Sequence, residues 1–419
     1  MKGSLRIGVV GYGTGGQAAA ALLARDGHHV EVFEQAHVLG PVGAGFLLQP
    51  TGMEVLRQLG LLEATLQHGA RVGRLFGETR EGRAVMDMRY RDLDRRLFGL
   101  GMQRGALFAL LDSAWQEDRN IHCGRRIAAI DAGRGVLRDQ EGHEHGAFDL
   151  LVIADGAASR LRAEVGEAVL DRPYPWGAQW CLVPRRDWPF GDELRQRYAG
   201  ARRMAGMLPV GTRPGDDTPR MSFFWSVPAA SLHDECEGAR WRSDLRDVWP
   251  EAADTLQDIA VPDGLAKARY RDAAHRRWYR GRAVLLGDAA HAMSPQLGQG
   301  ANMALIDALA LRDALRTSNG LAHALAQYER ARREHVGIYH FWSRWLTPLF
   351  QSERDRLAAM RDRLFHPLTR MPGSRRQVLR VLTGTRRGWL GVVPLDPRLL
   401  DALEAHAERV SPMPCRAFS

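Results

Sequence analysis

A G-x-G-x-x-G turn is formed by Gly11, Gly13 and Gly16, between an apolar run and an alanine-rich run. The first glycine permits the tight turn, the second lets a pyrophosphate approach the backbone, and the third lets a helix and a strand pack closely. Glu34 ends the next predicted strand, where a carboxylate can accept hydrogen bonds from a ribose 2′-hydroxyl. The carboxylate would repel a 2′-phosphate, so the turn predicts a dinucleotide other than NADP.

A second motif follows the apolar run at residues 148–154, and this run predicts a buried strand. Asp155 and Gly156 stand directly after it. Ligands of open α/β sheets bind at the carboxyl ends of the strands, so Asp155 is a candidate ligand-binding carboxylate. An Asp-Gly pair after a strand is also an ordinary turn, and this motif alone leaves both interpretations open.

The longest motif spans residues 283–304. Asp288 follows an apolar strand, and a carboxylate on such a tight turn can hold a sugar-like hydroxyl. Gly298 and Gly300 would let backbone N–H groups approach a flat polar ring. The helix predicted from about Ala301 directs its positive end at the same place, where negative charge can be stabilised.

In this order and spacing, the three motifs resemble those of the class A flavoprotein monooxygenases, the family of para-hydroxybenzoate hydroxylase. The resemblance covers roughly residues 5–340. Two shorter features are similar to the family as well: Gly43-Ala44-Gly45 followed by Leu48-Gln49-Pro50, and Arg104 at the start of a helix. Thr51 departs from the asparagine that relatives often carry.

The resemblance implies a bound FAD, NADH or NADPH as a transient electron donor, and O2 as a co-substrate. Oxygen transfer would pass through a flavin C4a-hydroperoxide to an aromatic or other electron-rich small molecule. Hydroxylation is the leading reaction, while epoxidation, N-hydroxylation and Baeyer–Villiger insertion stay open. The protein's own task would be to position the reactants and exclude water.

The resemblance also assigns residues. The flavin-edge environment would consist of Pro295, Leu297 and Gly298, with no assigned acid or base. Cofactor contacts would come from the residues of the three motifs and the two shorter features: Gly11, Gly13, Thr14, Gly15, Gly16, Glu34, Gln35, Gly45, Arg104, Asp155, Gly156, Gly287, Asp288, Pro295, Gly298, Gly300, Ala301 and Asn302. No metal site is expected.

Two other functions fit the same fold: a flavin-dependent reductase or dehydrogenase, and an FAD-containing regulator without activity. Flavin-dependent halogenases are disfavoured. Residues 223–228 read F-x-W-x-V-P, close to their W-x-W-x-I-P, but halogenases need a lysine between the first two FAD motifs. No lysine lies between Lys2 and Lys267.

The element order predicts an α/β fold: a Rossmann-like FAD-binding domain, an inserted and mostly antiparallel β-sheet domain for substrate, and a helical C-terminal region. The FAD-binding domain would be discontinuous. The expected boundaries are 1–75, 100–165 and 275–340 for the FAD-binding domain, 76–99 and 166–274 for the substrate domain, and 341–419 for the C-terminal region.

The chain of 419 residues carries a formal charge of +9 and four cysteines, with no CxxC pair. The cysteines are too few for a disulfide framework and lack zinc spacing, which favours a reducing cytoplasm. No nucleic-acid-binding motif accompanies the basic charge, and no apolar run is long enough for stable membrane insertion. The arginine-rich segment 354–387 is interpreted as a solvated helix face, with membrane-surface or acidic-partner binding left open. A monomer or homodimer is expected.

The expected partner is a small-molecule substrate, which an aromatic strand face in the inserted domain would contact. The candidate pocket residues are Trp176, Trp180, Phe224 and Trp225. His291 lies inside the third motif, where a structural role is favoured over that of a general base.

Overall fold

Two large β-sheets organise the protein. The computed structural model describes residues 3–41, 43–233, 238–261 and 263–410. Cys123 and Cys181 are free thiols, while Cys236 and Cys415 lie outside the described residues.

The first sheet has six strands, and five of them run parallel. In spatial order the strands are Tyr279–Arg280, Ala283–Leu285, Leu150–Ile153, Arg6–Val10, His29–Glu34 and Asn120–Cys123. Tyr279–Arg280 is the antiparallel edge strand. Numbered along the chain, the parallel strands lie in the order 3-2-1-4-5, that of dinucleotide-binding folds.

Short apolar runs form the centre of this sheet, because both of its faces are buried and leave no place for alternating polar residues. Strands Leu150–Ile153 and Ala283–Leu285 are buried throughout. Helix Thr14–Arg25 packs against helix Gly300–Thr317 over the sheet. The carboxyl ends of the strands therefore open at one edge, where the three sequence motifs follow.

The second sheet has seven strands and is antiparallel except for one parallel pair, Glu193–Ala199 with Arg74–Thr79. In spatial order the strands are Ala266–His275, Ala168–Pro184, Asp216–Pro228, Arg203–Arg213, Glu193–Ala199, Arg74–Thr79 and Ala84–Arg89. One face is covered by helices Gly238–Val248 and Pro250–Thr255, where Trp241 packs on Phe223.

The other face of the second sheet turns toward the first domain. A Cβ built on Gly45 would lie 2.7 Å from Ser222 Cβ, so the strand Gly45–Leu48 passes close to this face. Smaller sheets and helices complete the fold. The remaining strands are Gly45–Leu48, Ala70–Val72, Gly99–Gln103, Ile127–Asp131, Val136–Asp139, Glu144–His145, Arg386–Arg387 and Gly391–Val392.

The remaining α-helices include a long one, Leu321–Phe350, that runs from the first domain to the second sheet. The others are Pro50–Gln58, Leu62–His68, Arg104–Ser113, Arg162–Val165, Asp288–His291, Asp355–Arg370, Pro372–Leu382 and Pro397–Val410, with 3-10 helices at Tyr90–Asp92, Ala229–His233 and Pro295–Leu297. Among the described residues, no helix is both long and apolar enough to cross a membrane.

The predicted fold class is confirmed. Two features lay beyond the sequence patterns: the helices that cover one face of the inserted sheet, and the parallel pairing of strand Arg74–Thr79 within it. The proposed domain boundaries stay a prediction.

Candidate active site

The glycine turn after strand Arg6–Val10 leaves space where a ligand phosphate would approach. Gly11 has φ of 95°, and a Cβ on it would lie 2.5 Å from the Ala154 carbonyl oxygen. A Cβ on Gly16 would lie 2.0 Å from the Gly11 carbonyl oxygen, so both positions need glycine. A Cβ on Gly13 would meet nothing within 4 Å. The turn is thus closed toward the protein and open outward, at the N-terminus of helix Thr14–Arg25.

Glu34 ends its strand with the carboxylate already oriented. Its two oxygens accept hydrogen bonds from the backbone N–H groups of Tyr12 and Ala36, both at 2.8 Å. Each oxygen keeps a second lone pair, so the carboxylate can also accept hydrogen bonds from a ribose. The neighbouring Gln35 is exposed.

Asp155 stands at the carboxyl end of strand Leu150–Ile153 with an unsatisfied atom. Its Oδ1 is buried and has no hydrogen-bond partner among the described residues, and burial raises the pKa of the carboxyl group. A buried acceptor without a partner costs free energy unless a ligand donates to it. This atom and the open Gly156 beside it fit a ligand hydroxyl or N–H group.

Asp288 opens the short helix Asp288–His291, and no hydrogen bond from another described residue reaches its carboxylate. A Cβ on Gly300 would lie 3.6 Å from Asp288 Oδ1. The fold therefore brings Asp288 to the turn at Gly298, which has φ of 61° and open space around its Cβ position. The Asp288 carboxylate therefore lies next to a turn that leaves space for a ligand.

The buried Asp307 holds the turn at Gly287, next to Asp288, from the protein interior. Its Oδ2 accepts hydrogen bonds from the Gly287 N–H at 2.8 Å and from His291 Nε2 at 2.5 Å, and its Oδ1 accepts from Arg332 Nε at 2.5 Å. Burial opposes ionisation of Asp307, but His291 and Arg332 outweigh it and hold its pKa at about 2. This geometry agrees with the structural interpretation of His291.

Asn302 and Arg104 occupy different surroundings. Asn302 is fully buried: its Oδ1 accepts the Gln49 N–H at 2.8 Å, and its Nδ2 donates to the Leu47 carbonyl at 3.2 Å. Its side chain thus ties the third motif to strand Gly45–Leu48, which leaves its backbone for a ligand. The exposed Arg104 extends beside Gly43, where a Cβ would meet its side chain.

The four candidate pocket aromatics do not share one face. Trp180 pairs with Phe224 across strands, and both are half-buried on the face turned toward the first domain. Trp176 lies on the same face at the strand pair's end, and it is buried. Trp225 points to the opposite face, where it contacts Trp241 at 6.2 Å between ring centroids. The structure therefore does not bring Trp225 to the other three.

A polar cluster that the sequence patterns did not indicate lies beside the turn Pro295–Leu297. Gln351 Oε1 accepts hydrogen bonds from the Tyr174 hydroxyl at 2.6 Å and from Gln296 Nε2 at 2.5 Å. Gln351 Nε2 donates to Ser226 Oγ at 2.6 Å. The cluster joins the Pro295–Leu297 turn to the second sheet and to the end of the long helix. No motif signals it, because its members come from four distant segments.

One buried histidine, His335, and one half-buried histidine, His340, make the stability of the fold sensitive to acid. Burial, assisted by Arg332, lowers the pKa of His335 to about 3, and burial with His291 and Arg344 nearby lowers that of His340 to about 3. For His335 the contacts agree: Arg332 Nη1 donates to its Nδ1, and its Nε2 donates to the Gly384 carbonyl, which requires the neutral ring.

Both histidines bind protons near pH 6.5 only in the unfolded chain, so the free energy of unfolding should fall as pH decreases from about 6.5 toward 3. We expect a loss of roughly 1 kcal/mol per histidine between pH 7 and pH 5.5, measured by denaturant unfolding. His340→Gln should remove about half of this dependence, while His323→Gln, at an exposed position, should leave it unchanged. Equal pH profiles for all three proteins would contradict the assignment.

Comparison with known proteins agrees with this geometry. Residues 4–337 match a protein family described as FAD binding domain. The sequence is 30% identical over 359 residues to 6-hydroxynicotinate 3-monooxygenase of Pseudomonas fluorescens, covering 80% of this chain and 89% of that protein. It is 28% identical over 349 residues to FAD-dependent urate hydroxylase of Klebsiella oxytoca, covering 78% and 86%.

Solved structures share the fold. Klebsiella pneumoniae HpxO, crystallised with FAD and uric acid, superposes with a TM-score of 0.76 at 22% identity, over 93% of this chain and 99% of that one. The tetrameric form of 2-methyl-3-hydroxypyridine-5-carboxylic acid oxygenase superposes with a TM-score of 0.73 at 22% identity, over 92% and 98%.

Proposed function

Because the chain belongs to the FAD-binding-domain family of class A flavoprotein monooxygenases, we propose that it hydroxylates an electron-rich heteroaromatic or aromatic small molecule. The protein is an FAD-dependent monooxygenase that uses NAD(P)H and O2. Relatives named for their reactions act on 6-hydroxynicotinate and urate, both nitrogen heterocycles, which supports a ring substrate here. The relatives compared are named as monooxygenases or hydroxylases, so the reductase alternative gains no support.

The observation that carries the proposal is the convergence of three motifs at one sheet edge, with an unsatisfied carboxylate oxygen on Asp155 and an unpartnered carboxylate on Asp288. In this proposal the glycine turn and the helix N-terminus bind the FAD pyrophosphate, Glu34 binds the adenosine ribose, and Asp288 binds the ribityl chain. When bound, FAD supplies electron transfer from NAD(P)H and the activation of O2.

The protein's part is to place the substrate and keep water away. The turn Pro295–Leu297 forms one wall of the proposed pocket, and the half-buried Trp180 and Phe224 form another. The hydrogen bonds of Gln351 to Tyr174 and Gln296 hold the walls at a fixed separation. A pocket that has fixed walls and excludes water favours oxygen transfer to the ring over loss of hydrogen peroxide to solvent.

Isotope labelling tests the reaction. The FAD-loaded protein would be incubated with NADH or NADPH, 18O2 and a panel of hydroxylated pyridines, purines, quinolones and phenols. We expect a product that is heavier by one 18O atom. A product that takes its oxygen from water, or turnover that needs no O2, would contradict the proposal.

Glu34 offers a test of the adenosine end. Glu34→Ala should weaken FAD binding by about 1–3 kcal/mol, the scale of a charge-assisted hydrogen bond, measured by flavin fluorescence titration of the apoprotein. Glu31→Ala is the matched control, because Glu31 lies on the same strand but pairs with Arg6. Unchanged FAD affinity in Glu34→Ala would remove the ribose role.

The free thiols of Cys123 and Cys181 support a reducing, cytoplasmic location as part of the proposal. A monomer or homodimer remains proposed for this chain, while one solved relative is described as tetrameric.

A further inference from the structure

The helix Asp355–Arg370 presents an apolar line to solvent. Met360, Leu364, Leu368 and Met371 are 46%, 50%, 53% and 57% exposed, and their spacing places them along one side of the helix and its end. The adjacent side of the helix packs inward, with Ala358 and Arg361 buried. Half-exposed large apolar side chains in a continuous line are unusual on a surface without a partner.

A row of arginines borders this line. Arg356, Arg363 and Arg370 recur every seven residues, so they align along the helix next to the apolar residues. All three are exposed, and none makes an ion pair with the residues that the structure describes. Elsewhere on this helix the charges are matched, as in Arg361 with Asp362 and Arg202 with Asp355. The row is therefore free to meet an external anion.

The neighbouring hairpin has the same character. Strands Arg386–Arg387 and Gly391–Val392 are joined by a tip that carries Trp389 and Leu390, which are 62% and 88% exposed. Helix Pro372–Leu382 connects the two regions, since it packs on helix Asp355–Arg370 and on the first hairpin strand. Exposed tryptophan is typical of protein surfaces at the membrane–water interface.

We propose that the outer face of helix Asp355–Arg370 docks on an anionic lipid bilayer. The apolar line would enter the headgroup region while the arginine row contacts lipid phosphates, the arrangement of an interfacial amphipathic helix. Charge repulsion disfavours a second copy of the chain as the occupant. In a two-fold dimer through this face, the two arginine rows would lie against each other without acidic partners. The inference goes beyond the proposed function and does not depend on it.

Vesicle flotation of the full-length, FAD-loaded protein tests this docking. Vesicles of phosphatidylcholine alone would be compared with vesicles containing phosphatidylglycerol, at low and at high salt. We expect binding to the anionic vesicles that weakens with salt, because the arginine row acts by Coulomb attraction. Binding should be slight on phosphatidylcholine alone.

Two variants distinguish the contribution of the apolar line to vesicle binding from that of the arginine row. Leu364→Ser with Leu368→Ser should reduce the bound fraction severalfold, and the triple replacement of Arg356, Arg363 and Arg370 by Gln should lower vesicle affinity by at least about tenfold. The charge-matched control replaces Arg126, Arg185 and Arg240 by Gln; these are exposed and lie away from helix Asp355–Arg370. All variants should keep the wild-type melting temperature and NAD(P)H oxidation rate.

Two outcomes would overturn the proposal: absence of binding to anionic vesicles, and a loss of vesicle binding in the control triple variant equal to that in the arginine-row variant. If vesicle binding is absent, binding to polyglutamate would assign the face to an acidic protein. Concentration-dependent dimerisation that the Leu364→Ser, Leu368→Ser variant abolishes would then assign it to a second copy of the chain.

Discussion

Asp307→Ala should lower the free energy of unfolding by about 3–5 kcal/mol, the cost of removing one partner from a buried ion pair. Asp307 is fully buried and accepts hydrogen bonds from His291, Arg332 and the Gly287 backbone. Without it, the Arg332 guanidinium remains buried with no carboxylate opposite. Unfolding of the FAD-loaded protein in guanidinium chloride measures the loss of unfolding free energy.

Glu334→Ala is the control, because Glu334 lies on the helix that carries Arg332 and pairs with Arg387, and both of those side chains are about half exposed. Its effect should be within about 1 kcal/mol, as for surface pairs in general. Asp307→Asn should fall between the two, since the amide oxygen can still accept the Gly287 N–H. A loss below 1 kcal/mol in Asp307→Ala would show that the cluster does not hold the fold.

Asp288→Ala should weaken FAD binding roughly 10- to 100-fold, because a carboxylate that hydrogen-bonds the cofactor is lost. The structure separates this effect from destabilisation: no described residue donates a hydrogen bond to Asp288, so the apoprotein should unfold as the wild type does. The measurement is titration of apoprotein with FAD, paired with unfolding of the apoprotein.

Asp401→Ala, at an exposed position on the helix Pro397–Val410, should change neither property. Asp288→Asn should retain more FAD than Asp288→Ala, because the amide oxygen still accepts. Wild-type FAD affinity in Asp288→Ala would disprove the ribityl role, and an equal loss of apoprotein stability would assign Asp288 to the fold instead.

The sheet edge at which the three motifs meet could be predicted from sequence because its determinants are local. A strand, a tight turn and a helix follow one another within a few residues at Gly11 and again at Asp288, so spacing alone indicates the arrangement. The acidic end of the second strand, Glu34, is also a local signal.

The contacts around Gln351 could not be predicted in the same way. Gln351 meets Tyr174 across 177 residues of chain and Ser226 across 125, and no periodic pattern encodes such contacts. The separation of Trp225 from Phe224 can be predicted from sequence, because adjacent residues of a strand point to opposite faces of the sheet. The hydrogen bond from the Gly287 N–H to Asp307 could not be predicted either, because the sequence does not distinguish a buried acidic residue of a helix from a solvent-exposed one.

Oxygen consumption by the purified, FAD-loaded protein tests whether it couples NAD(P)H oxidation to oxygenation of a ring substrate. It would be recorded with NADH and NADPH separately, against phenols, aromatic acids and hydroxylated nitrogen heterocycles, with hydrogen peroxide quantified alongside. We expect at least one ring compound to accelerate oxygen uptake, with one O2 consumed per NAD(P)H and little hydrogen peroxide formed. Flavin reduction without oxygen uptake, or peroxide equal to the oxygen consumed with every compound, would contradict this expectation.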